Sequence, residues 1–298
     1  MKTFRYIFIL LFVFISLICN AENTFPTNYR DHNKVNTCKN LLQKYTLDEL
    51  SMMISTGNFD DIYVGDYIEM KMTTNIGTDE SPNNVTEKVR WLVAAIDYFR
   101  HRTDSEILYH HIVLVAEDCF KTTHRMNSSN TTANGFAGSE MYVTTLPKYD
   151  IAITNAFGSS HVLSYHQLLT NSMSSSIPSM AGNNLSGASN NWAWANGGSN
   201  PHVTKLCLMS EPQLFKTMSF SSSFYDIGIN NSQFPLFAQM PEKIRCGRGF
   251  NSVSSARIGF WLSSVVSTAY FALCSYVGSA SSDNASYSLG VRPYFLFK

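Results

Sequence analysis

Apolar and polar positions follow different rhythms in different parts of this chain, and each rhythm predicts its own kind of element. Tyr6 to Ile18 is almost wholly apolar, Ser16 excepted. Leu41, Leu42, Tyr45, Leu47 and Leu50 recur every three to four residues, the spacing of an amphipathic helix. Thr46 stands where an N-cap belongs, with Glu49 three residues on, so a second short helix is predicted to start there. From Phe59 the rhythm shortens. Ile62 to Met70 alternates and is rich in β-formers, which predicts a strand broken at Gly65. Ile76 to Glu87 reads as a polar loop. Val89 to Tyr98, centred on Trp91, predicts a second strand. His110 to Val115 predicts a third, whose last part is a continuous apolar run suited to a core.

The rest of the chain mixes turns with short regular pieces. Met126 to Leu146 has turn residues at nearly every position and is expected to enter a short helix near Ser139. Thr145 to Leu169 reads as a helix, a break at Gly158, and a further helical piece. Thr170 to Gly198 is Ser-, Asn- and Gly-rich, and its Trp192-Ala193-Trp194 predicts docking onto the body. Val203 to Met209 predicts a strand, and Ser210-Glu211-Pro212-Gln213 opens a helix with Pro212 in its first turn. Phe260-Trp261-Leu262, Tyr270 to Cys274 and Leu289 to Phe297 are the last strands, arranged as a meander. No internal repeat is evident.

The two ends of this closing stretch are apolar, while its middle mixes Ser, Tyr, Asn, Asp and Gly irregularly. The ends look built for burial and the middle for display. Tyr, Ser, Gly and Asn also dominate antibody contact loops, where Tyr gives contact area at low entropy cost. The plainer alternative is a Ser-rich pair of strands closing a sheet.

Composition sharpens this picture. Hydrophobic residues are 44%, enough for a substantial core, whereas charged residues are only 15%, well below the usual quarter. Basic and acidic residues balance at 22 each, so no basic footprint for nucleic acid or an anionic membrane exists. Lys2 and Arg5, the apolar run and Cys19-Asn20-Ala21 have the three parts of a signal peptide, with cleavage expected near Ala21. The apolar run is shorter than the ~20 residues that span a bilayer. An uncleaved anchor and lipid attachment at Cys19 are the alternatives.

Candidate chemistry is sparse. Five cysteines follow the leader: Cys38, Cys119, Cys207, Cys246 and Cys274. None forms a C-x-x-C, so neither a zinc-finger nor a redox motif is present. Cys207 and Cys274 lie in apolar strand runs, as small buried hydrophobes do. One disulfide is allowed in an oxidising compartment, its members unnamed. His110-His111 would point to opposite faces of a strand and cannot readily share an ion. His161 and His166 are five apart, not the i, i+4 of a helical metal pair. No G-x-S-x-G occurs, since Gly138-Ser139-Glu140 lacks the second glycine, and Gly247-Arg248-Gly249 is too short for a phosphate loop. No enzyme class, metal or cofactor is expected.

Several short motifs in order resemble an uncharacterised family of bacterial and phage proteins of the DUF6273 type. They are Val64-Gly65-Asp66-Tyr67, His110 to Val113, Met126-Asn127 with Asn130-Thr131-Thr132, Gly135 to Met141, Leu208 to Glu211, Phe260 to Ser264 and Gly290-Val291-Arg292-Pro293. The ending is similar to the closing module of C-type-lectin-fold proteins, including the retroelement-diversified variable proteins and the formylglycine-generating-enzyme-like group. The resemblance implies an α+β, C-type-lectin-like domain over residues 59–298, with small twisted antiparallel sheets, flanking helices and long loops. It would follow a signal peptide (1–21) and a helical N-terminal appendage (22–58). It implies a ligand-binding face at Tyr270, Phe271, Ser275, Tyr276, Ser279, Ser281, Asp283, Asn284 and Tyr287, with Trp261 and Arg292 as scaffold. The expected protein is secreted or displayed on a cell surface, as an adhesin or receptor-binding protein recognising a protein or glycan. Its membrane contact would be limited to the leader or a lipid anchor, with room for a homo-oligomer. The alternative is a virion or outer-surface subunit that uses the same face for assembly.

Overall fold

A computed structural model describes residues 37–76, 84–101, 107–166, 169, 203–221, 232–246 and 257–298. The protein is a mixed α+β structure of small antiparallel sheets and few helices. Its centre is a five-stranded antiparallel sheet in the order β1 (Tyr67–Asn75), β2 (Asn84–Ile96), β3 (Ile112–Ala116), β10 (Pro293–Phe297), β6 (Leu206–Leu208). A second sheet of three strands follows the order β7 (Phe260–Val265), β8 (Tyr270–Cys274), β9 (Ala280–Asn284). A two-stranded piece pairs β4 (Tyr165–His166) with β5 (Val203–Thr204). Among the described residues no helix is long and apolar enough to cross a membrane.

The continuous apolar runs are explained by cover on both faces of the central sheet. Every residue of β3 and β10 is buried. Successive side chains of β10 point to opposite faces. Phe295 meets Trp91 and Phe157, each pair with ring centroids 5.0 Å apart. Tyr294 meets Phe99 and Phe234. Phe157 belongs to helix α2 (Leu146–Phe157), which turns Leu146, Tyr149, Ile153 and Phe157 inward at helical spacing. Phe234 is the residue before the short helix α3 (Pro235–Gln239). The sheet is therefore a middle layer, and a strand with no solvated face has no reason to alternate.

The N-terminal described segment is tied to this body. Helix α1 (Leu47–Ser55) has the expected capping box: the Thr46 hydroxyl accepts from Glu49 N, and the Glu49 carboxylate accepts from Thr46 N. It buries Leu50 and Ile54 in the common core. Ahead of it, Asp66 accepts from the Thr37 hydroxyl, from Lys39 N at 3.0 Å and from Tyr63 N at 3.0 Å.

Several expectations need correction. The first strand starts at Tyr67, not Ile62, because Asp66 closes a turn on Tyr63 and Gly65 sits at φ +92°. The second strand begins five residues earlier than Val89, at Asn84, and stops at Ile96 because Asp97 turns to φ +52°. Among the described residues no helix resumes between Gly158 and His166. That stretch runs extended beside β10, where Leu163 N donates to Leu296 O and Lys298 N to His161 O. Lys205 splits Val203 to Met209 into β5 and β6, which pair with different partners. The closing strands are not one meander, since β10 leaves the second sheet and enters the first. Trp192-Ala193-Trp194 lies outside the described residues.

Arg292, immediately before β10, fastens these parts. It is fully buried. Its Nε donates to Ala116 O at 2.8 Å, Nη1 to Ile244 O at 2.9 Å and Nη2 to Lys243 O at 2.8 Å. The guanidinium also lies over the rings of Phe260 (5.2 Å) and Phe237 (5.5 Å). A lysine keeps the charge but presents its donors from one nitrogen and cannot span these carbonyls. Arg292→Lys is expected to cost ~3–5 kcal/mol in chemical denaturation, as for a buried charge stripped of its partners. A loss below ~1 kcal/mol would show that the clamp is dispensable.

Candidate functional site

The expected face is a β-hairpin and the turn after it. Strands β8 and β9 pair Tyr270 with Asn284, Phe271 with Asp283, Ala272 with Ser282 and Leu273 with Ser281. Paired residues share a face and neighbours alternate. Tyr270 and Asn284 therefore stand on one face, and Ser281 and Asp283 on the other. Ser275 to Ser279 forms the tip. Ser275 N donates to Ser279 O at 2.8 Å, the two hydroxyls lie 2.7 Å apart, and Gly278 takes φ +87°. Beyond β9, Tyr287 N donates to Asn284 O and returns the chain beside the Tyr270 end.

Most of the expected positions reach solvent. Tyr276 is 63%, Tyr287 53% and Tyr270 39% exposed. Ser279 is exposed, and Ser275, Ser281, Asp283 and Asn284 are half-buried. Phe271 is the exception, and its assignment as a contact residue is corrected. It is fully buried, paired across the sheet with Val265, in a strand that is buried on both faces from its second residue on. Six of the remaining eight form two patches at opposite ends of the hairpin, roughly 17 Å apart for the five residues of β8, and Ser281 and Asp283 lie between them on β9. Tyr270, Asn284 and Tyr287 occupy one end, and Ser275, Tyr276 and Ser279 the other.

Behind the first patch, residues 124–132 dock on the strand ends. Met126 N and Asn127 N both donate to Ala285 O at 2.9 Å, and Thr132 Oγ1 donates to Ser267 O at 2.6 Å. The Ser286 hydroxyl and amide both donate to Asn130 Oδ1. Asn130 thus joins the patch, although sequence reasoning assigned it no place in the ligand-binding face. Trp261 is buried, with Nε1 donating to His124 O at 2.9 Å. Glu211 is fully buried and accepts from Phe220 N, Ser221 N and the Ser221 hydroxyl. Asp66, Glu211, Trp261 and Arg292 from the motif series therefore hold the frame.

The His110-His111 pair is structural too. His111 is buried: Nδ1 donates to Tyr109 O and Nε2 accepts from Phe99 N. Burial pushes its pKa down to about 4, so the ring is neutral. His110 faces elsewhere, with Nδ1 2.7 Å from Asp97 Oδ2. The side chain of His166 lies outside the described residues. Among the described residues no group of three or more His, Cys, Asp or Glu is placed to hold a metal ion.

Sequence reasoning missed a charged cleft of about 470 Å³ between β1–β2 and residues 242–245. Its walls carry Glu69, Glu87, Arg90, Glu117, Lys243 and Arg245. Most of these charges are paired with one another. Arg90 reaches Glu69 (3.2 Å) and Glu117 (3.7 Å), and Lys243 reaches Glu117 at 2.5 Å. Glu87 differs. It alternates with Val89 and Trp91 on the inward side of β2, and accepts from Lys121 N at 3.2 Å. Burial pushes its pKa up from the ordinary 4.5 to about 7. The signal was present in the alternation, but reading residues 76–87 as a loop hid it.

Glu87 sets a pH dependence. Its folded-state value is raised, so the protonated form favours folding. That stability is complete below about pH 4.5 and is lost as pH rises through about 7. The chain is expected to lose roughly 2–3 kcal/mol of this contribution between pH 5 and 8. Glu87→Gln should remove that decline in urea unfolding at the two pH values. An unchanged slope would mean that Glu87 is ionised in the folded state.

Compared with known proteins, the chain matches no family model, no curated sequence and no solved structure.

Proposed function

We propose that this is an exported ligand-binding protein of C-type-lectin-like fold, secreted or displayed at a cell surface, that recognises a protein or glycan through the β8–β9 hairpin and the turn after it. One observation carries the reading. Among the described residues, the exposed large aromatics are Tyr109, Phe220, Tyr270, Tyr276 and Tyr287, and three of the five fall between residues 270 and 287. Tyrosine offers a broad apolar ring and a polar tip with few rotors to freeze, which suits both protein and sugar surfaces. The export half of the reading rests on the tripartite leader pattern of residues 1–21. The charged cleft receives no reaction in this reading, because its ion pairs satisfy one another.

A second reading, assembly of a virion or outer-surface subunit, is favoured by one feature. Strand β9 is at the edge of its sheet, and an open strand edge is a template for pairing with another chain.

An array of glycans and cell-surface proteins tests the first reading. Binding is expected, and Tyr276→Ala and the Tyr270→Ala/Tyr287→Ala pair should each weaken it at least ~10-fold with unfolding midpoints unchanged. Silence across the array under native conditions would defeat the recognition reading. Self-association by light scattering that the same substitutions abolish would favour the assembly reading instead.

A further inference from the structure

We propose that Cys119 and Cys246 are a disulfide-forming pair, joined when the chain folds in the presence of a disulfide oxidant. Their sulfurs lie 2.9 Å apart, although 127 residues separate them in sequence, and both side chains are buried. Less than one ångström of further approach would bring them to the ~2.04 Å of a sulfur–sulfur bond. The chain also holds them together independently of any bond. Arg292 grips Ala116 O, three residues before Cys119, and Lys243 O and Ile244 O, just before Cys246. Phe120 N, next to Cys119, donates to Val291 O. Gly290 leaves the space the first sulfur occupies, since a Cβ there would stand 2.6 Å from Cys119 Sγ.

The other cysteines are placed for different fates. Cys207 is buried within β6, opposite Tyr294 of β10. The Cys274 sulfur rests on Ile244 O at 3.7 Å and Ser275 O at 3.6 Å. Cys38 is exposed. Five cysteines after the leader thus resolve into one pair, two buried thiols and one exposed thiol.

The chemistry is thiol–disulfide exchange. One cysteine thiolate attacks a sulfur of the oxidant, a small-molecule or protein disulfide, and expels one oxidant thiol. The second cysteine sulfur then attacks the mixed disulfide, forming the Cys119–Cys246 bond and expelling the second thiol. Two electrons pass to the oxidant, and the two thiol protons leave with its reduced sulfurs. With both sulfurs buried, exchange must precede closure of the core. In the organism, this oxidant is what the exported reading above supplies, because oxidising compartments are where such bonds persist.

The test refolds the reduced full-length chain in a glutathione and glutathione-disulfide buffer, blocks free thiols in denaturant, and digests without reduction. A peptide linked through Cys119 and Cys246, lighter by two hydrogens than its reduced halves, is expected from the wild type and from Cys274→Ala. Adding reductant should lower the unfolding midpoint by roughly 5–15 °C, and the drop should vanish in Cys119→Ala/Cys246→Ala. Recovery of both cysteines as blocked thiols, or a link through Cys207 or Cys274, would overturn the assignment. The export reading is tested apart, by locating the chain with and without residues 1–21. Its failure would leave the refolding result standing.

Discussion

A guanidinium cannot shed its proton at any accessible pH, so a buried arginine must be met by fixed dipoles or by carboxylates. Arg292 is buried without an ion pair among the described residues and is met by three main-chain carbonyls and two aromatic faces. Carbonyls are not mobile counter-ions. To put them at 2.8 to 2.9 Å, the end of β3 and the helical turn Pro241–Ile244 must both come to the start of β10. The last carbonyls of such a turn lack partners within it, so each group satisfies a need of the other. The chain therefore passes from the three-stranded sheet into the five-stranded one at this residue. Arg292 is the hinge of that crossing.

The same clamp decides what is rigid. Arg245 follows the two gripped carbonyls, and its Cγ lies where a Cβ on Gly278 would meet it at 2.3 Å, so it packs directly under the hairpin tip. At the other end, Gly290 N donates to Gly259 O and Trp261 N to Gly290 O, stitching the exit from the hairpin to its entry. The hairpin is thus braced from both sides of Arg292, and Arg245 also lines the charged cleft.

How far this was readable from the sequence depends on whether a feature is local. The capping box at Thr46–Glu49, the helix start at Ser210 to Gln213, the helix stop at Gly158 and the apolar run Ile112 to Val115 were legible because neighbouring residues determine them. Burial of Trp261 and Arg292 and exposure of Tyr270, Tyr276 and Tyr287 were also foreseen. What escaped was set by pairing at a distance. Ala280 to Asn284 is polar and lacks β-branched residues, and becomes a strand only because β8 lies beside it. The stretch after Gly158 has helix-compatible residues but takes its hydrogen bonds from β10. Phe271 was misjudged because β8 is buried on both faces from its second residue on, a cover that the neighbouring residues do not announce.

Bracing changes what the hydroxyl-rich face can contribute. Ser275 and Ser279 spend their hydroxyls on one another, and Ser286 on Asn130. Asp283 accepts from the amide of its neighbour Asn284. These groups are largely committed within the fold, so a ligand would have to break internal bonds to use them. The phenol rings of Tyr270, Tyr276 and Tyr287, with Val277 beside Tyr276, are the large apolar surfaces left outward on this frame. A frame that does not rearrange demands little ordering when a partner arrives. Recognition here would then rest on aromatic contact at two separated patches, with the serines acting as spacers that fix where the rings stand.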